Sequence, residues 1–177
     1  MHILDIVQNS IAAKATLICV CIEESKQEDQ LTVLVEDNGT GMSPALLRRV
    51  TDPFTTTRTT RKVGLGIPLL MQAAQQAGGS FSIESAEGKG TAVKAVFRHS
   101  HIDRSPLVDM AGTLTGLIAM NEQVDFVYTH RTEDGVFELD TRQAKEAAGG
   151  SLCAHGVLQW INGYIKEGLS EIGAETY

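Results

Sequence analysis

Between Val35 and Gly66 the chain reads VEDNGTGM, then the threonine- and arginine-rich run DPFTTTRTTRKV, then GLG at the head of an apolar segment. Two glycine clusters, the first led by an aspartate, restrict the fold more than any other feature. A β-rich run that ends in Asp-Asn-Gly must turn sharply, with glycines free to take positive φ. The turn leaves the Asp37 carboxylate at a strand end, where it can accept a hydrogen bond from a ligand amine. Asn38-Gly39 alone would make an ordinary type I′ turn, but that reading gives no reason for Gly41 or for the acid in front. The run from Thr51 to Val63 has too little apolar content to form its own core and reads as an exposed, mobile loop. Gly64-Leu65-Gly66 then leads into the helix IPLLMQAAQQA, whose first-turn N–H groups can face an anion; Pro68 falls in the first turn, where its missing donor does least harm. The stretch describes a pocket floor and a movable cover for a phosphate-bearing ligand.

Composition limits what surrounds that pocket. A chain of 177 residues can bury one good core, or one core with a small appendage, and with only 5% aromatic residues the core must be built from Ile, Leu, Val and Ala. A formal charge of -7 argues against a basic nucleic-acid footprint. An anionic ligand then needs local donors: backbone N–H groups, the Arg48/Arg49 and Arg58/Arg61/Lys62 clusters, or a metal ion. No stretch reads as a signal peptide or as an apolar run long enough to span a membrane, so the expected setting is the cytoplasm, without membrane insertion. Cys19 and Cys21 alternate with Leu17, Val20 and Ile22 in a strand-like run, and Cys153 stands alone. They read as buried or half-buried thiols in a reducing compartment.

In chain order, His2 to Ala15 has Ile3, Leu4, Val7, Ile11 and Ala15 at helical spacing, which puts Asp5 and Asn9 one turn apart on a common face. Thr16–Glu23 and Gln30–Glu36 predict an antiparallel pair around the polar EESKQED loop. Ser43-Pro44 caps a short helix, ALLRRV. Phe81–Glu84 and Thr91–Phe97 predict two more strands around Ala86-Glu87-Gly88-Lys89-Gly90. RHSHIDRSP follows as a polar linker, in which His99, His101 and Asp103 are expected to face solvent. Pro106–Met120 predicts a helix with Asp109 near its start, Gln123–Tyr128 and Gly135–Asp140 a hairpin, and Arg142–Ala148 and Ala154–Ile172 two helices. Val157, Leu158, Ile161, Ile165 and Leu169 form an apolar stripe on the last of these, with Trp160 and Tyr164 at its edge. The stripe serves either intramolecular packing or a partner surface.

No GxxxxGK[ST] or strand-borne GxGxxG motif is present. The chain instead resembles the ATP-binding domain shared by sensor histidine kinases, DNA gyrase B, the Hsp90 chaperones and MutL mismatch-repair proteins. Asp5-Ile6-Val7-Gln8-Asn9-Ser10 stands where that superfamily has its N box. Asp37-Asn38-Gly39-Thr40-Gly41-Met42 is similar to its first glycine box, and Asp52-Pro53-Phe54-Thr55-Thr56 to the phenylalanine box of the histidine-kinase branch. Gly64-Leu65-Gly66 resembles the second glycine box, and Gly88-Lys89-Gly90-Thr91 the last GxGT element. Five motifs in family order cover residues 1–98.

The resemblance implies an α+β fold, a two-layer α/β sandwich of the Bergerat type on a mixed, mostly antiparallel sheet. The expected organisation is an ATP-binding domain over 1–98, a linker over 99–105 and a small C-terminal α/β extension over 106–177, packed against the first unit or extending its sheet. It also implies ATP and Mg²⁺ as cofactors. Asn9 would hold the metal, Asp37 would receive the adenine amino group, and Thr91 would assist through a water. Asn38, Gly39, Gly41 and Met42 would shape the adenine pocket, while Phe54, Thr55, Thr56, Arg58 and Lys62 belong to the lid. Gly64, Leu65 and Gly66 would close on the phosphates. Asp5 stands where the hydrolysing members carry a glutamate that orients water; it keeps the acid–base chemistry with one methylene less.

The family domain has a strand before its N-box helix, whereas this chain enters within that helix, so the strand is either dispensed with or replaced by a partner or another segment. The implied function is Mg-ATP binding with phosphotransfer to, or regulation of, a separate protein. The alternative is a hydrolytic ATPase or an ATP-gated interaction module. Implied partners are ATP/ADP, a phosphoacceptor protein supplied in trans and a second copy of the chain in a homodimer, without nucleic acid.

Overall fold

A computed structural model describes residues 2–51 and 66–175, apart from the His155 side chain. Helix α1 (Ile3–Ala12) is followed by the antiparallel strands β1 (Leu17–Ser25) and β2 (Gln30–Asp37), and then by α2 (Pro44–Thr51). Helix α3 (Gly66–Gln76) precedes the hairpin β3 (Ser80–Ala86) and β4 (Gly90–Arg98). The last third comprises α4 (Met110–Met120), β5 (Asp125–Arg131), β6 (Val136–Asp140), α5 (Thr141–Ala147) and α6 (His155–Glu171). The polar loop between β1 and β2 is shorter than its composition suggests, because β1 continues to Ser25 and Asp29 closes the turn at φ 54°. Helix α4 starts later than the apolar run, at Met110, where the Asp109 carboxylate caps it by accepting from the Gly112 N–H at 2.9 Å.

The six strands form one mixed sheet in the order β3-β4-β2-β1-β5-β6. Every pairing is antiparallel except β1 with β5, which is parallel. The strands of the last third thus extend the sheet, and β5 lies along β1, where the flank would otherwise be open. Register sets one covered face: Val20 pairs with Val35 and Tyr128, and Val35 with Val93. This face packs beneath α1 and α3 in one core with Phe97, Phe126 and Leu139, giving the two-layer α+β sandwich. The α6 stripe serves internal packing: Ile161, Ile165 and Leu169 are buried, with α6 against α4 and β6. Trp160 and Tyr164 stay exposed and stack on one another with centroids 5.4 Å apart.

Cys19 and Cys21 point to the other face, half-buried and free. Burial, followed for Cys19 by the Glu36 charge, pushes both thiols upward, so they are poor nucleophiles. Among the described residues no helix is long and apolar enough to cross a membrane.

Candidate functional site

Asp37 and Thr91 are register partners at the ends of β2 and β4, on the covered face. Beyond them the core stops, and α1 and the turn after β2 enclose a cavity of about 200 Å³. Its walls are apolar at Ile6, Ile67 and Val93; Asn9, Asp37 and Thr91 supply polar groups. Gly41 and Met42 lie at the same cavity. That volume is below the roughly 300–1,000 Å³ of a whole small-molecule site and suits the base of a nucleotide.

The turn is held from both sides. Thr40 N–H donates to Ala13 O at 2.8 Å, and Gly88 N–H donates to Thr40 O at 2.8 Å, tying it to the end of α1 and to the β3–β4 turn. Gly41 takes φ +63°, and a Cβ there would lie 2.0 Å from Ala86 O, so both conformation and space demand glycine. The second glycine of the box, unexplained by a simple hairpin turn, is therefore a docking position.

Asp37 is clamped. Ser10 Oγ–H donates to Oδ2 at 2.6 Å and Gly39 N–H to Oδ1 at 2.8 Å, leaving each oxygen a further lone pair for a ligand donor. On the β4 side, Ser85 Oγ receives the Met42 N–H at 2.8 Å and lies 2.9 Å from Thr91 Oγ1. Ser10 and Ser85 are two residues to which the sequence reading gave no role. Ser10 did carry a signal: it follows Ile3, Ile6 and Val7 at core spacing on α1, and a hydroxyl on a buried stripe needs a partner.

Asn9 lines the cavity with its Nδ2 buried and unpartnered. A buried amide with an open hydrogen-bonding site suits a polar ligand group, and rotating it by half a turn presents the oxygen instead. Asp5, one turn earlier, is half-exposed and lies 3.0 Å from His2 Nδ1. Gly66, at the head of α3, lies against it: a Cβ there would come within 2.5 Å of Asp5 Cβ, so glycine sets how closely the two helices approach.

Asn38 has a different position. Its Oδ1 accepts from the N–H groups of Thr16 and Leu17, each at 2.9 Å, and its Nδ2 donates to Thr16 Oγ1, so the side chain anchors the start of β1. Phe54, Thr55, Thr56, Arg58, Arg61, Lys62, Gly64 and Leu65 lie outside the described residues. His99 departs from the solvent-facing expectation: its side chain is 12% exposed and packs toward Glu24 and Glu175.

The donor set fits a nucleotide with a magnesium ion: a fixed carboxylate for an amine, an uncharged amide at the same cavity, and no competing basic side chain on the described walls. Among curated proteins, the chain is 31% identical over 97 residues to a putative sensor protein of Shewanella frigidimarina, covering 54% of this chain and 15% of that protein. It is 30% identical over 93 residues to sporulation kinase C of Bacillus subtilis, covering 52% and 22%. The match thus spans less than a quarter of either relative's length. A solved structure of the N-terminal domain of a DNA repair protein aligns at TM-score 0.49 and 16% identity over 78% of this chain and 50% of that one, a likeness too slight to carry weight. Residues 2–101, more than half of the chain, match the family described as histidine kinase-, DNA gyrase B-, and HSP90-like ATPase, and the chain belongs to that family.

Proposed function

We propose that the chain binds Mg-ATP at the cavity between α1 and the β2 turn and uses it for phosphotransfer to, or regulation of, a separate protein, as a histidine-kinase-like module. The observation that carries this reading is the clamped Asp37 carboxylate facing a base-sized cavity. Asp37 accepts from the adenine amino group, Ser10 and Gly39 keep its oxygens aimed, and Thr91 assists through a water. Asn9 offers its amide to the phosphate end of the ligand and would hold the magnesium ion. When bound, that ion would offset part of the triphosphate's negative charge and supply Lewis-acid stabilisation to phosphoryl transfer. Gly64, Leu65 and Gly66 belong to the phosphate end. The relatives' names, a sensor protein and a sporulation kinase, support an acceptor supplied by a protein. Calorimetric titration of the chain with ATP and Mg²⁺ tests the binding. Incubation with γ-labelled ATP and candidate acceptor proteins tests the transfer, and label recovered only as free phosphate would remove it.

A second reading, a hydrolytic ATPase or an ATP-gated module, is favoured by Asp5. This half-exposed carboxylate stands one helical turn from Asn9 and would act as general base toward a water. Asp5→Asn should then lower turnover while leaving ATP affinity nearly intact. Unchanged turnover would exclude Asp5 as the base.

A further inference from the structure

The covered face of the sheet has polar groups at its other end as well. Glu24 pairs in register with Leu31, six residues along β1 from the Ile18–Asp37 pair, or about 20 Å away at strand rise. His130 pairs with Ile22 on the same face, and His99, in the turn just past β4, brings its Nε2 to within 3.8 Å of Glu24 Oε2, so all three side chains meet at one corner. The segment after α6 brings Glu175 there: its N–H donates to Glu24 Oε1 at 2.9 Å.

Glu24 is 2% exposed, and its Oε2, aimed into this corner, has no hydrogen-bond partner. His99 Nε2 is likewise buried without one, and so is Arg104 Nη1. His99 Nε2 lies 3.3 Å from Glu175 Oε1 and 3.8 Å from Glu24 Oε2, near enough for an ion pair but off the direction a hydrogen bond requires. One ring N–H could in any case serve only one of two carboxylates. A cation at the common focus would satisfy both, and would take the lone pair of a neutral imidazole.

The spacing suits such an ion. One ligand atom from each of Glu24, His99 and Glu175 lies within 4.8 Å of the others, the one such convergence of His, Cys, Asp or Glu among the described residues. Ligands about 2.0–2.1 Å from a tetrahedral zinc stand roughly 3.3–3.4 Å apart. One imidazole with two carboxylates favours zinc over magnesium or calcium, which prefer oxygen throughout.

Each ligand is also oriented by an outer partner. His130 Nε2 lies 2.6 Å from Glu24 Oε1, and its Nδ1 lies 2.6 Å from the Tyr128 hydroxyl. Whichever tautomer it takes, His130 bridges the Glu24 carboxylate and the Tyr128 hydroxyl. Arg104 Nη2 donates to both Glu175 oxygens at 3.0 and 2.9 Å, and its Nε donates to His99 O at 2.7 Å. Arg104 thus pairs with Glu175, while the Glu24 carboxylate is buried in the same corner.

We propose that Glu24, His99 and Glu175 form a Zn²⁺ site that fastens the segment after α6 to the β1 and β4 ends of the sheet. The test uses the full chain, stripped with a chelator and titrated with ZnCl₂ against a chromophoric competitor in the absence of nucleotide, so the outcome is independent of ATP binding. One Zn²⁺ per chain should bind and raise Tm, with nitrogen and oxygen but no sulfur in the zinc X-ray absorption shell. His99→Ala and Glu175→Gln should each weaken binding at least about 10-fold, the lower end of what outer-sphere losses alone produce. His101→Ala and Cys153→Ser should leave it unchanged. Should His99→Ala fail to fold, Glu175→Gln decides, because it replaces a partly exposed carboxylate by an amide of nearly the same size. Absence of Zn²⁺ uptake, as a bridging water in the corner would give, overturns the proposal. So does equal affinity in Glu175→Gln, or a sulfur ligand.

Discussion

Ser10→Ala isolates what holds Asp37 in place. Ser10 Oγ has one proton and two acceptors in reach, Ile6 O at 3.3 Å and Asp37 Oδ2 at 2.6 Å. The shorter, charge-assisted contact takes it. Hydrogen bonds to charged groups contribute about 1.5–3 kcal/mol, and Asp37 is partly solvated, so the loss in folding stability should be about 1–2 kcal/mol. For a chain of this size that is a Tm decrease of roughly 2–8 °C. The carboxylate would keep only the Gly39 N–H, could turn from the adenine amino group, and should weaken ATP binding about 10-fold, or about 1.4 kcal/mol. Calorimetry on wild type, Ser10→Ala, Asp37→Asn and the double variant forms a cycle. Because Ser10 acts through Asp37, the double variant should bind no worse than Asp37→Asn alone. Additive losses in the cycle, or undiminished affinity in Ser10→Ala, would refute the reasoning.

Gly66→Ala puts a methyl against Asp5 Cβ and should separate α3 from α1, lowering ATP affinity more than stability when calorimetry and thermal melts are compared. Two glycines of α6 should respond oppositely to alanine. At Gly168 a Cβ would lie 2.0 Å from the Phe137 ring, and overpacking of about 1–3 kcal/mol should outweigh the helix-propensity gain, whereas Gly163 has open space around it and should gain up to about 1 kcal/mol by thermal melting. Asp29 is held down to about 2 from 3.8, chiefly by the Arg98 guanidinium and then by Ser100. A carboxyl lowered in the fold stabilises it above the unfolded value, and that stabilisation disappears as pH falls from 3.8 toward about 2. Asp29→Asn should therefore lower Tm at neutral pH, and the two Tm curves should converge by the acid end of that window.

The elements were legible because strand alternation and helix spacing are local. LICVCI and TVLV alternate, and the stripe Ile161, Ile165, Leu169 follows helical period, so their faces are as read. Asn9, Asp37 and Thr91 were legible as a set through the order of their motifs, although they are far apart in the chain. The β1–β5 pairing was not, since a parallel partner is chosen by which strand brings Phe126, Tyr128 and His130 to the covered face, and no turn announces it. Nothing local announces that Asn38, next to Asp37 in the glycine box, turns its side chain to the N–H groups of Thr16 and Leu17. His99 looked solvated within a polar run, but its environment is made by Glu24 and Glu175, which lie far away in sequence.

The parallel seam also sets an order of events. Each hairpin closes within a few residues, while joining Leu17 to Asp125 closes a loop of about a hundred residues, at an entropic cost about 3 kcal/mol greater by the logarithmic law. The segment matched to the ATPase family ends at residue 101, before β5 begins. On a ribosome adding about 5–20 residues per second, the flank of β1 that carries LICVCI therefore waits on the order of 5–20 s for its neighbour. Such a short, uncharged, β-rich edge is what aggregation selects, so this protein's yield in the cell should depend on chaperone supply during translation.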